Sequence, residues 1–76
     1  MMPLGAIGLA TTRVMLALVR VHARDGRATV RSVAEEAHRG VAVTYRHLGI
    51  FSRLGLVDGW GDGIQGALRP LVRTIR

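Results

Sequence analysis

Apolar residues fall into three helical stripes along this chain and then give way to a shorter pattern broken by glycines. In the first stretch Val14, Met15, Leu18, Val19, Val21 and His22 share one broad face, with Arg13, Arg20 and Arg24 largely off it. Thr11 or Thr12 is the candidate N-cap, since a threonine hydroxyl accepts from an unpaired first-turn amide. Asp25-Gly26 is a stop and turn signal. The second stripe places Val30, Val33, Ala34 and Ala37 at i, i+3, i+4 and i+7, which predicts a helix over 30–37 capped by Thr29. The third turns Thr44, Leu48 and Phe51 to one side and Tyr45, Arg46 and Gly49 away from it, predicting a helix over 41–54 that ends at Gly55. Between these two, His38-Arg39-Gly40 interrupts the period, and Gly40 is the residue expected to supply the freedom for a sharp turn.

Beyond Gly55 the period shortens. Leu56 to Trp60 reads as a short strand, Gly61-Asp62-Gly63 as a turn, and Gln65 to Val72 as the returning strand of a hairpin. Pro70 has no N–H to give a ladder, so that strand should lie at an edge or end there. Arg27-Ala28 is long enough only for a single bridge to such a sheet. Trp60 is expected to pack the hairpin onto the third helix. The expected class is therefore mainly α with a small antiparallel β-hairpin (α+β), in one domain over residues 11–76.

Residues 1–10, MMPLGAIGLA, read as a flexible apolar arm. They lack the basic start and cleavage pattern of a signal peptide, and Pro3, Gly5 and Gly8 interrupt a segment already too short to span a bilayer. A cytoplasmic location without membrane contact is the expectation. Met2, Leu4, Ile7 and Leu9 have no place in a three-helix core and are expected against a partner subunit.

Length and charge narrow the function. A chain of 76 residues supports one compact core and no more. It has no cysteine, so disulfides and thiolate metal ligands are out of reach. Eleven arginines, no lysine and five acids give a formal charge of +6, which suits a polyanionic partner, nucleic acid before an anionic membrane. Lysine-free usage also follows from GC-rich coding, so the placement of the arginines has to decide.

The order helix, bridge, helix, turn, helix and hairpin resembles the DNA-binding domain of bacterial winged-helix repressors, of the LexA and MarR types. The matching residues are Thr29 and Val33-Ala34, then Tyr45-Arg46-His47-Leu48, then Arg53-Leu54-Gly55-Leu56-Val57, within roughly residues 11–72. The chain departs from that pattern at two places: Ala37-His38 stands where a leucine-glycine pair is usual, and Gly40 where a serine caps the third helix. Asp58 and Asp62 in the hairpin would also repel phosphate.

The resemblance implies a winged helix-turn-helix that binds double-stranded DNA in a sequence-specific way, as a small transcriptional regulator working as a homodimer. With Thr44, Leu48 and Phe51 inward, the groove-facing set is Ala42, Val43, Tyr45 and Arg46, with Gly40 and Val41 at the entrance. Arg46 is the candidate base reader, because a guanidinium bonds both acceptors of guanine. Ala42 and Val43 offer apolar contact, and Tyr45 a phosphate or sugar contact. Arg39, Arg53 and Arg69 are candidates for phosphate contacts at the turn, the helix end and the wing, contacts that add affinity without sequence information. The alternatives are a winged-helix module that grips another protein, or a small architectural or recombination-directing DNA binder of a mobile element.

No enzyme is expected. Glu35 and Glu36 are consecutive on a helix and point about 100° apart, so they cannot share a proton. His22, His38 and His47 lack metal-ligand spacing, and Ser52 has no neighbouring base to activate it. No cofactor, metal or small-molecule substrate is implied.

Overall fold

The computed structural model describes the backbone of residues 4–71 and the side-chain surroundings of residues 11–71. Three helices, α1 (Leu4–Asp25), α2 (Val30–Ala37) and α3 (Val41–Arg53), lead into a two-stranded sheet of β1 (Val57–Asp58) and β2 (Arg69–Pro70). This is the winged helix-turn-helix order, mainly helical with a small antiparallel sheet.

Helix α1 begins at Leu4, so the expected loose arm is helical from that residue on. Thr11 and Thr12 lie inside the helix rather than capping it. Ala6, Ile7, Leu9 and Ala10 favour a helix, and each interior glycine costs only about 1 kcal/mol relative to alanine. The expected contacts of Met2, Leu4, Ile7 and Leu9 lie outside the described side chains. Further along, Val14, Ala17, Leu18 and Val21 are buried at i, i+3, i+4 and i+7. Val19, read from sequence as part of that face, is instead exposed. Gly26, at φ 74°, ends the helix, and its amide bonds the His22 carbonyl at 2.9 Å.

Ala28 forms the single bridge expected of it, antiparallel to Leu68, whose amide donates to the Ala28 carbonyl at 2.8 Å. Thr29 then caps α2. Its hydroxyl accepts from the Ser32 amide at 3.2 Å, and the Ser32 hydroxyl oxygen accepts from the Thr29 amide at 2.8 Å. This reciprocal box satisfies two end amides at once, with serine in the place where glutamate is usual.

The turn between α2 and α3 is made differently from the expectation. His38 takes the left-handed conformation (φ 56°, ψ 45°), and the Arg39 amide closes onto the Ala34 carbonyl at 3.0 Å. Gly40 sits at φ −64°, ψ 151°, an ordinary extended N-cap geometry, and a methyl added there would meet nothing within 4 Å. The chain reverses two residues earlier than the glycine suggests, because closing the last turn of α2 requires the left-handed residue directly after Ala37.

Helix α3 buries Thr44, Leu48 and Phe51 against a core that includes Val14, Leu18, Val21, Val30 and Val33. Its end is closed by the Leu56 amide on the Phe51 carbonyl at 2.9 Å, with Gly55 at φ 75°. In the sheet Val57 faces Pro70 and Asp58 faces Arg69. The returning strand is shorter than the sequence suggests, and its residue 72 lies outside the described residues. Alternation along the strand aims the missing N–H of Pro70 at the Ala28 side, where pairing stops after one bridge. The next amide, Leu71, bonds Leu56 at 2.8 Å on the β1 side. Gly59, at φ 93°, lies so close to the returning chain that an added Cβ would come within 2.0 Å of the Ala67 carbonyl oxygen.

Candidate functional site

A helix packed on one face leaves the opposite face to solvent, and on α3 that face carries Ala42, Val43, Arg46, Ile50 and Arg53, all exposed. Arg46 and Arg53 are seven residues apart, so they rise on the same side with Ile50 between them. Arg39 is exposed in the preceding turn, and Gly40 is exposed at the start of the helix. Among the described residues, ion pairs join only Arg24 to Asp25 and Glu36, and Arg69 to Asp58. Arg39, Arg46 and Arg53 therefore have no acidic partner among them.

Tyr45 is placed otherwise than the sequence suggests. It is half-buried beneath Trp60, with the ring centroids 4.7 Å apart and the planes 22° from parallel. The indole N–H of Trp60 donates to the Tyr45 carbonyl at 2.8 Å, which ties the 3-10 turn Trp60–Asp62 to the flank of α3. Gly49 makes this possible: a Cβ there would lie 2.8 Å from the indole. Tyr45 projects between the core and the solvent face of α3, and the tail returns over that flank because Gly49 leaves it bare. The expected packing of Trp60 on α3 is present, and it removes Tyr45 from the open face.

Arg69 is exposed but engaged, its guanidinium hydrogen-bonded to Asp58 directly across the sheet. That hydrogen bond first, and the positive charge second, holds the Asp58 carboxyl below the usual carboxylate range. The carboxylate is thus ionised at neutral pH and cancels the charge of Arg69. Asp58, read from sequence as a charge that repels phosphate, is largely neutralised by its cross-strand partner. Asp62, in the same segment, has no ion-pair partner among the described residues.

Two further features escaped the sequence. Ile50 is 46% exposed although it is a large aliphatic residue on a helix with a well-defined core face. Its spacing of four from Arg46 was the signal that could have found it. Arg27 and Arg31 are both exposed around the start of α2, lining a shallow concavity with Thr29, Ser32, Ile64 and Gln65. The carbonyl of Ile64 already accepts from the Val30 amide at 3.3 Å there, so the segment after the 3-10 turn also closes the front of α2.

No described set of three or more His, Cys, Asp or Glu residues comes together in a way that could hold a metal ion. No helix among the described residues is long and apolar enough to cross a membrane. Compared with known protein families, characterised proteins and solved structures, the chain matches none.

Proposed function

We propose that this protein binds double-stranded DNA through the exposed face of α3 and acts as a small sequence-specific transcriptional regulator. The observation that carries this reading is the unpaired state of Arg46 and Arg53 on one exposed side of a helix whose other side is locked into the core. A free guanidinium takes a phosphate or a guanine edge without first losing a carboxylate. Arg46 lies nearer the N-terminal half of α3, the half that reaches the floor of the major groove, and is assigned to base reading. Val43 and Ile50 flank it with apolar surface suited to a thymine methyl or sugar. Arg53 and Arg39, at the helix end and in the turn, are assigned to phosphates, with Arg27 and Arg31 adding positive charge near the front of α2. Two copies on a two-fold site would extend a contact area that is small for one module.

A binding selection from random duplex DNA, run at two salt concentrations, tests the reading. A recovered motif, with affinity falling as salt rises, is the expected result. Retention of no duplex at either salt would overturn it and favour a module that grips protein instead, for which the apolar Val43 and Ile50 would be the anchor.

A further inference from the structure

We infer that the outer face of α1 is a docking site for an acidic amphipathic helix of another protein. The core takes Val14, Ala17, Leu18 and Val21 from α1 and leaves the opposite side of the helix uncovered. That side repeats at alternating steps of four and three: Thr12, Leu16, Val19 and Ala23, all exposed, with Leu16 at 48% and Val19 at 38%. A three-four spacing of this kind forms a straight seam along a helix, and the shape that fills such a seam is a second helix.

The flank of the seam states the charge of that second helix. Arg13 and Arg20 lie seven apart along one side of it, both exposed and neither paired with a carboxylate among the described residues. They edge a groove whose other wall is the end of α2, lined by Glu36, Ala37 and His38. The one carboxylate in that wall, Glu36, is held by Arg24 at 3.0 Å. An incoming helix with leucine-like residues over Leu16 and Val19, and glutamate or aspartate along one flank, would meet two free cations and cover the apolar stripe together.

A second copy of this chain does not fit. Helix α1 itself has its only acid, Asp25, at its end and bound to Arg24, while α3 has no acid at all and α2 has its apolar stripe buried. Antiparallel pairing of two α1 helices would also bring Arg13 of one beside Arg20 of the other, a like-charge contact. The seam lies on a different helix from Arg46 and Arg53, so it stands or falls separately from DNA binding.

The probe is a fluorescent peptide of about three heptads, with leucine at the seam positions and glutamate on both flanks, titrated with the full chain by anisotropy. Saturable binding is expected, weakened roughly tenfold or more by the double variant R13E/R20E and by Leu16→Asp, and unchanged by Arg46→Ala. The same peptide with lysine flanks should not bind. Circular dichroism of each variant separates a lost site from a lost fold, and because Leu16, Arg13 and Arg20 are exposed the fold should persist. Equal binding of the lysine peptide, or full binding by folded R13E/R20E, would overturn the inference. So would sedimentation showing a dimer that Leu16→Asp converts to a monomer, since the seam would then belong to a second copy.

Discussion

The turn and α3 carry three arginines without an acidic partner, whereas the single arginine of the two-stranded sheet is tied to the aspartate opposite it. The same side chain is thus offered in two states. Arg39, Arg46 and Arg53 can take a phosphate for the loss of water alone. Arg69 would have to give up Asp58 first, and the Asp58 carboxylate would remain beside the phosphate. On the DNA-binding proposal the contrast becomes a division of work, with α3 as the gripping element and the tail as its brace. Trp60 stacks on Tyr45, Ile64 closes the front of α2, and Leu68 joins Ala28, so the tail ties α3 to the front of α2 and to the link that precedes it.

The largest effect should come from breaking both regions together. Phe51 is buried beneath α3 in a chain this small, and Phe51→Ala should cost about 3–5 kcal/mol, enough to unfold most of the population. Thermal denaturation checks it, and a nearly unperturbed melting curve would mean that α3 buries a different face. Next comes the brace alone. Trp60 is only half-buried, so Trp60→Ala should cost about 2 kcal/mol in a denaturant titration. The folded variant should keep its base preference on DNA; loss of that preference with the fold intact would make the tail a reader and dissolve the division.

Within α3 the two arginines should differ in kind. Arg46→Ala should lose about 1–3 kcal/mol on the selected site and tolerate other bases at one position. Arg53→Ala should weaken all sequences alike and make the salt dependence shallower by about one unit. Binding to single-base variants over a salt series separates these outcomes. The tail can then be tested by freeing its arginine: Asp58→Asn removes the charge that holds Arg69, and should steepen the salt dependence by up to about one unit. An unchanged slope would place Arg69 out of reach of DNA altogether. Acid has the related but weaker effect on folding. Asp58 is held below the usual carboxylate range, so the stabilisation from its pair with Arg69 is complete above that range and is lost as pH falls through the lowered value. Both groups are exposed, which keeps that contribution small.

The smallest expected effect lies in the turn. His38 holds a left-handed conformation that costs a side-chain-bearing residue about 1–2 kcal/mol, partly regained in the unfolded state. His38→Gly should therefore raise stability by about 0.5–1 kcal/mol, read as an upward shift in Tm, without altering DNA affinity.

Much of the helical unit was legible because burial follows a period that sequence displays directly. Val30, Val33 and Ala34 on α2, and Thr44, Leu48 and Phe51 on α3, are the residues the stripes nominate, and Gly26 and Gly55 sit at the helix ends they mark. The single bridge at Ala28 was legible for the same reason, as the one gap left between two caps. Features that depend on partners distant in sequence were not. Arg69 becomes neutralised only because the sheet register puts Asp58 across from it, and no spacing rule gives that register through a glycine-rich loop. By period Tyr45 falls off the core stripe of α3, yet it packs at the core's edge and is covered because Trp60 returns over Gly49. The left-handed residue at the turn is chosen by where α2 must close, which favoured His38 over Gly40 two residues on. The start of α1 was hidden by Gly5 and Gly8, which read as breaks and cost the helix too little to stop it.

A proton–nitrogen NMR titration of the labelled full chain with duplex DNA tests most directly which face makes the contact. The amides of Arg39 to Val43, with Arg46, Ile50 and Arg53, should shift together and early, while those of Asp58, Arg69 and the outer stripe of α1 at Leu16 and Val19 stay close to their free positions. Shifts clustered on the tail or on α1 with α3 unmoved, or no shifts at low salt, would contradict DNA binding through α3.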